Sequence, residues 1–155
     1  MKQTALLISF LFFGAPAFSQ IGTAEEIGKS WETIGIGNKL LGYPKLSKTK
    51  VGDKDYYSIF YRNLEYQQLE DYKSFYFFAN PDELEYLYDA LQKGGHKKET
   101  TSIDVGEGRI TVRKNAASIM VNVYHPPGET DGWFFFTPKQ LGNMFGKKYD
   151  KKKYK

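Results

Sequence analysis

The chain has no cysteine among its 155 residues. That excludes disulfides, thiolate metal sites, a thiol nucleophile and a lipidated N-terminal Cys. Histidine is nearly as scarce, with two copies. A Ser-His-Asp arrangement must therefore draw on His96 or His125, and no G-x-S-x-G elbow accompanies either. His96 lies in a Gly-Gly-His-Lys-Lys stretch past a helix end, which reads as a solvated turn. His125 precedes Pro126-Pro127, and a long hairpin loop accounts for its neighbours Glu129 and Asp131. H-E-x-x-H, P-loop and dinucleotide fingerprints are missing as well. Asp53-Lys54-Asp55 lacks the further oxygen ligands and closing Glu of a calcium loop. The sequence assigns no catalytic residue, no metal ligand and no cofactor.

Apolar runs are also few. The longest, Ala5 to Phe13, is interrupted only by Ser9, follows Lys2 and precedes small residues and a Pro. It is too short to span a bilayer and has the layout of a secretory signal peptide over residues 1–20, cut after Ala17 or Gln20. The expectation is a protein exported to the periplasm or the outside, with no transmembrane anchor after cleavage. Positive charge is concentrated at the other end. Of the 22 basic residues, Lys2 and six of the last nine leave 15 in the body, against 17 acidic ones there. A domain-wide footprint for nucleic acid is absent, so nucleic acid is an unfavoured partner.

Between these ends the texture changes in steps. Residues 21–42 are Gly-rich, with Ile27, Trp31 and Ile34 at helical spacing, and predict a short or frayed helix. A single α+β domain is expected over 43–146, and a basic disordered tail over 147–155. Lys45–Val51 and Tyr56–Arg62 flank a Gly52-to-Asp55 turn, so Tyr57, Ile59 and Tyr61 share one face. Phe75–Phe78 is a strand apolar on both faces, expected to be interior or covered by the Gly-rich segment with Trp31 or by a second copy. Asn80-Pro81-Asp82-Glu83 opens a helix whose stripe is Leu84, Leu87, Tyr88 and Leu91, and which Gly94-Gly95 ends.

The second half repeats this order. Thr101–Val105 and Arg109–Lys114 flank Gly106-Glu107-Gly108, and Ser118–Tyr124 alternates. Trp133–Phe136 is again apolar on both faces, with the same expectation of cover. Thr137-Pro138 then opens a helix carrying Leu141, Met144 and Phe145. Together these elements predict an antiparallel sheet of about seven strands with two amphipathic helices. The hairpin–strand–helix unit occurs twice, as a duplication or as two solutions to one strand-to-helix problem.

The signal ending Phe18-Ser19-Gln20, with Tyr61-Arg62-Asn63, Lys73-Ser74-Phe75 and Lys139-Gln140-Leu141 through Phe145-Gly146-Lys147, resembles small exported proteins of Bacteroidota. The resemblance spans most of the mature chain, rests on structural motifs and brings no catalytic residues. The repeated order of strands then helix is similar in topology to the Whirly and Pur-alpha nucleic-acid-binding folds.

What the chain has in abundance is aromatic: 12 Tyr, 12 Phe and 2 Trp. Rings with polar tips suit surfaces that stay partly wet. Strand alternation should send some of them to the face away from the helices. Tyr57, Tyr61, Tyr76, Tyr124 and Trp133 are the candidate contacts for a protein or glycan there. Lys147, Lys148, Lys151, Lys152 and Lys153 are candidate contacts to an anionic envelope surface. The favoured reading is an exported, non-enzymatic binding or structural protein. The alternatives are a small hydrolase with a carboxylate/His site and a nucleic-acid binder of Whirly-like topology.

Overall fold

Two helix starts organise the molecule. Asn80 and Thr137 each accept a hydrogen bond from the backbone N–H three residues on, Glu83 and Gln140. Each of those residues returns its side chain to the cap's own N–H, which closes a capping box. The computed structural model describes residues 31–125 and 129–148. In chain order it contains β1 (Glu32–Asn38), β2 (Tyr43–Val51), β3 (Lys54–Arg62), β4 (Tyr72–Phe78) and α1 (Pro81–Gly95). The order then repeats as β5 (Thr101–Val105), β6 (Gly108–Asn115), β7 (Ser118–His125), β8 (Glu129–Phe136) and α2 (Pro138–Met144).

The fold is α+β and duplicated, as the sequence implies, but the single seven-stranded sheet is replaced by two antiparallel sheets of four, β1–β4 and β5–β8. Two features of the chain account for the difference. The first is an eighth strand where a helix was expected. Glu32–Asn38 pairs with β2, and its glycines serve contact rather than flexibility. A Cβ at Gly35 would stand 2.1 Å from the Asn143 carbonyl oxygen of α2, and one at Gly37 3.1 Å from that of Gln140. The strand is glycine-rich because a helix lies directly on it. The Gly-rich segment thus contributes a strand to the domain expected to begin at Tyr43; Ile27 lies outside the described residues.

The second feature is the apolar inner face of each sheet. Leu46, Tyr57, Ile59, Tyr61, Phe75 and Phe77 from the first meet Ile110, Val112, Ile119, Val121, Val123, Phe134 and Phe136 from the second in one buried cluster. The sheets pack face to face. Tyr61 and Phe134 stack across this junction with ring centroids 4.5 Å apart.

The helices are exchanged between the units. Helix α1, which follows the first sheet, packs against β5, β6 and β7; α2, which follows the second, packs chiefly against β1, with smaller contacts to β2 and to β8. Helix α1 ends at Gly95, as the sequence implies, with both glycines inside the helix. They form its last turn, where a Cβ on Gly94 would stand 2.3 Å from Val112 Cγ1 and one on Gly95 2.5 Å from Ile119 Cγ1. Leu87, Leu91, Leu141 and Met144 are buried beneath the two helices.

Both aromatic strands are sheet edges, contrary to the expectation that they lie inside. Each run looks continuous because a core-facing ring alternates with an outward-facing one. Phe75 and Phe77 are buried, whereas Tyr76 and Phe78 are 45% and 49% exposed. The same holds for β8, where Phe134 and Phe136 are buried and Phe135 is exposed. The expected cover is present in one place: the Trp31 ring lies 5.9 Å from that of Tyr56 and 6.1 Å from that of Tyr76.

Candidate functional site

The outer face of the first sheet follows from register. Thr49, Tyr56 and Phe78 form one row, Ser47, Ser58 and Tyr76 the next, and Lys45, Phe60 and Ser74 a third. Arg62 and Tyr72 continue the pattern beyond them. The rings gather at two ends. At one, Tyr56 stacks on Tyr76 at 5.9 Å and tilts against Phe78 at 4.5 Å, with Trp31 alongside. At the other, Phe60 and Tyr72 stack at 5.5 Å with an interplanar angle of 5°, and Tyr43 meets the Tyr72 edge. Buried Ser47 and Ser58 lie side by side between the ends.

Charge on this face has one sign. Lys45 Nζ stands 5.3 Å over the Phe60 ring, a cation–π distance, and Arg62 lies beside Tyr43. The paired strand positions place no Asp or Glu on the face. Burial, and then the neighbouring Tyr76, raise the Tyr56 hydroxyl above its ordinary pKa, so that hydroxyl is neutral near pH 7. Hydrogen bonding to Tyr43 raises the Arg62 guanidinium, which stays charged.

The candidate residues are dispersed by the structure. Tyr76 alone of the five aromatic candidates lies on this outer face. Tyr57 and Tyr61 share one face, as expected, but it is the inner one, where both are buried. Burial, ahead of the nearby carboxylates, also pushes both hydroxyls up in pKa. Tyr124 and Trp133 belong to the outer rows of the second sheet, opposite Arg109 and Asn122. That sheet offers a more polar surface, with an Arg109–Asp104 ion pair at 2.7 Å and an Asn122–Thr111 hydrogen bond at 3.1 Å. Trp31, Tyr56, Phe60, Tyr72 and Phe78 were not among the candidates. The signal for Tyr56 and Phe60 was the alternation itself: once Ile59 is placed inside, its neighbours two away follow it and the intervening rings face out.

Lys147 is fixed rather than part of a tail. Its N–H donates to the Gly142 carbonyl at 2.8 Å, its ammonium pairs with Glu85, and it stands 4.4 Å over the Tyr88 ring. Lys148 is exposed, and Lys151, Lys152 and Lys153 lie outside the described residues. His96 is exposed at the end of α1. The side chains of His125 and Glu129 lie outside what is described, and Asp131 pairs with Lys73 at 3.2 Å. Among the described residues no three His, Asp or Glu gather to hold a metal, and no helix is long and apolar enough to cross a membrane. Comparison with known proteins finds no matching family model, curated protein or solved structure.

Proposed function

We propose that this chain is an exported, non-enzymatic binding module that receives a glycan on the outer face of its first sheet. One observation carries the reading: half-exposed rings at Tyr76 and Phe78 stand with Tyr56 and Trp31 on a single sheet face, bordered by serines and free of carboxylates. Flat rings present apolar faces to the C–H surface of a sugar, and the tyrosine hydroxyls of Tyr56 and Tyr76 suit its polar rim. Export rests on the N-terminal layout of Lys2 and the Ala5–Phe13 run. The lysines at 151–153 and 155 extend the reading to a salt-sensitive tether on an anionic envelope surface.

The test is titration of a Trp133→Phe protein, whose remaining indole is Trp31, with soluble neutral and acidic polysaccharides. Saturable fluorescence change is expected, and Tyr76→Ala should weaken it at least tenfold. A flat response to every glycan, with saturable response to a peptide library, would replace the glycan by a protein partner.

A second reading has its own support. Lys45 and Arg62 flank the rings on a face without acidic residues, the combination that stacks and neutralises single-stranded nucleic acid. The repeated strands-then-helix order is similar to nucleic-acid-binding folds in topology alone. An oligothymidine arm in the same titration, repeated across a salt series, separates the two readings.

A further inference from the structure

A second concave site lies where the two units meet, away from the Trp31–Tyr56–Tyr76–Phe78 cluster. It is a cleft of about 380 Å³ at the open ends of β1 and β3 and the start of α2. The stacked pair Tyr61 and Phe134 contributes to its lining, with Leu41, Pro44 and Leu64 as apolar walls. Junctions of this kind are where small-molecule pockets concentrate. The apolar lining continues to the surface. Leu41 is 54% exposed and Leu40 beside it 93%, two leucines at a turn where nothing in the described fold requires them.

The polar groups of the cleft are unbalanced. Asn38 Oδ1 accepts from the Leu40 and Leu41 N–H groups at 3.0 and 3.4 Å, and Gln140 Oε1 accepts from Thr137 N at 2.8 Å. Thr137 Oγ1 accepts in turn from Gln140 N. These side-chain oxygens are therefore committed to local backbone, which leaves the amide N–H groups of Asn38 and Gln140 as donors. The lining contains one charge, Arg62, and no Asp or Glu. The Arg62 guanidinium hydrogen-bonds Tyr43 and makes a long bond from NH2 to the Gln67 carbonyl at 3.3 Å, while its Nε is enclosed with no hydrogen-bond partner among the described residues. A guanidinium that is the one charge in an apolar lining has an anion as its natural partner.

We propose that this cleft binds an organic carboxylate with an apolar chain, the carboxylate accepting from the Arg62 guanidinium and the chain lying against Leu41 and Leu64. One charge and an apolar lining give such a ligand both of its contacts. Inorganic phosphate finds only the first and a fatty alcohol only the second. The proposal is independent of the glycan reading, because it shares no residue with the ring cluster around Tyr76.

The experiment is calorimetric titration of the purified protein with decanoate, decanol and inorganic phosphate, alongside thermal melting. Saturable decanoate binding that raises the melting midpoint is expected, with decanol and phosphate at least tenfold weaker. Arg62→Met should cost decanoate at least tenfold. Ser118→Leu, which fills the cleft from the second unit, should abolish binding while leaving Arg62 in place. Tyr76→Ala should leave decanoate affinity unchanged. No saturable decanoate binding to the parent protein overturns the proposal, as does decanoate binding that both Ser118→Leu and Arg62→Met retain in full. Loss of decanoate binding in Tyr76→Ala moves the site to the outer face and overturns it equally. If Arg62→Met fails to fold, Ser118→Leu decides alone, and its retention of full affinity is then sufficient to reject the cleft.

Discussion

The side-chain oxygen of Asn63 accepts a hydrogen bond from the backbone N–H of Trp133 at 3.1 Å, joining the end of β3 to the edge of β8. Asn63 is completely buried and has further partners. Its Oδ1 also accepts from Glu65 N, and its Nδ2 donates to Asp71 Oδ2 at 2.7 Å. The Leu64 N–H continues the connection to the Trp133 carbonyl at 2.9 Å. Gly132 makes room for this junction. Its φ is 130°, and a Cβ there would stand 2.4 Å from Asn63 Oδ1.

Asn63→Leu should therefore destabilise by about 3 kcal/mol, since it strands buried donors and an acidic partner together. Urea unfolding with an unchanged slope would register this as a lower midpoint. A loss below about 0.5 kcal/mol would show that water replaces the amide and that the junction is not closed.

Gly94→Ala tests the helix seat. On an exposed helix the change gains about 1 kcal/mol, but here the new methyl meets Val112 Cγ1, so a net loss of about 1–3 kcal/mol is expected. Val112→Ala in the same molecule should recover part of that loss, a coupling that a double-mutant cycle measures. Gly35→Ala should show no such recovery, because the atom it meets is a backbone carbonyl of α2.

Leu87→Ala should cost about 2–5 kcal/mol, as Leu87 is 3% exposed between α1 and the second sheet. Thermal or chemical unfolding of the single variant is sufficient to read it.

Stability should fall in alkali. Tyr56, Tyr57 and Tyr61 have folded pKa values raised above the ordinary 10, so the folded state retains protons that the unfolded chain releases. Their contribution is complete below pH 10 and is lost as pH rises through the folded values. Tyr61, the most strongly raised, approaches a slope of about 1.4 kcal/mol per pH unit, and Tyr56 and Tyr57 add in the same direction. Unfolding midpoints between pH 9 and 12 should show this decline, and Tyr61→Phe should flatten it. Identical slopes in parent and variant would remove Tyr61 from the account.

Retention on heparin or anionic vesicles should weaken when the chain is ended at Lys148, and the difference should fade with added salt. Equal retention of the two chains across the salt series would reject the tether.

Sequence reasoning reached what depends on short-range chemistry. Asn80-Pro81 and Thr137-Pro138 specify helix starts through groups three residues apart, and alternation placed Tyr57, Ile59 and Tyr61 on one face. What it missed depends on partners distant in the chain. Gly35, Gly37, Gly94 and Gly95 look like breakers until the backbone or side chain that approaches them is known. The split into two sheets is hidden for the same reason, because nothing local distinguishes edges that pair from faces that pack. Tyr57 and Tyr61 were assigned to a binding surface for want of one fact, namely which side of β3 meets the other sheet. Arg62 carries no local mark of a site; its exposure to a cleft arises only when Phe134 and Gln140 are brought beside it.

The exchange of helices separates the unit that repeats from the unit that folds. A single copy, four strands and their helix, has an uncovered sheet and a helix whose seat belongs to another copy. Two such copies on separate chains could satisfy each other by trading helices, so the smallest self-sufficient form of this repeat is a pair. The loop from Gly95 to Thr101 makes that pair intramolecular. A chain cut within it should yield halves that are insoluble or misfolded apart and regain the parent's stability when mixed.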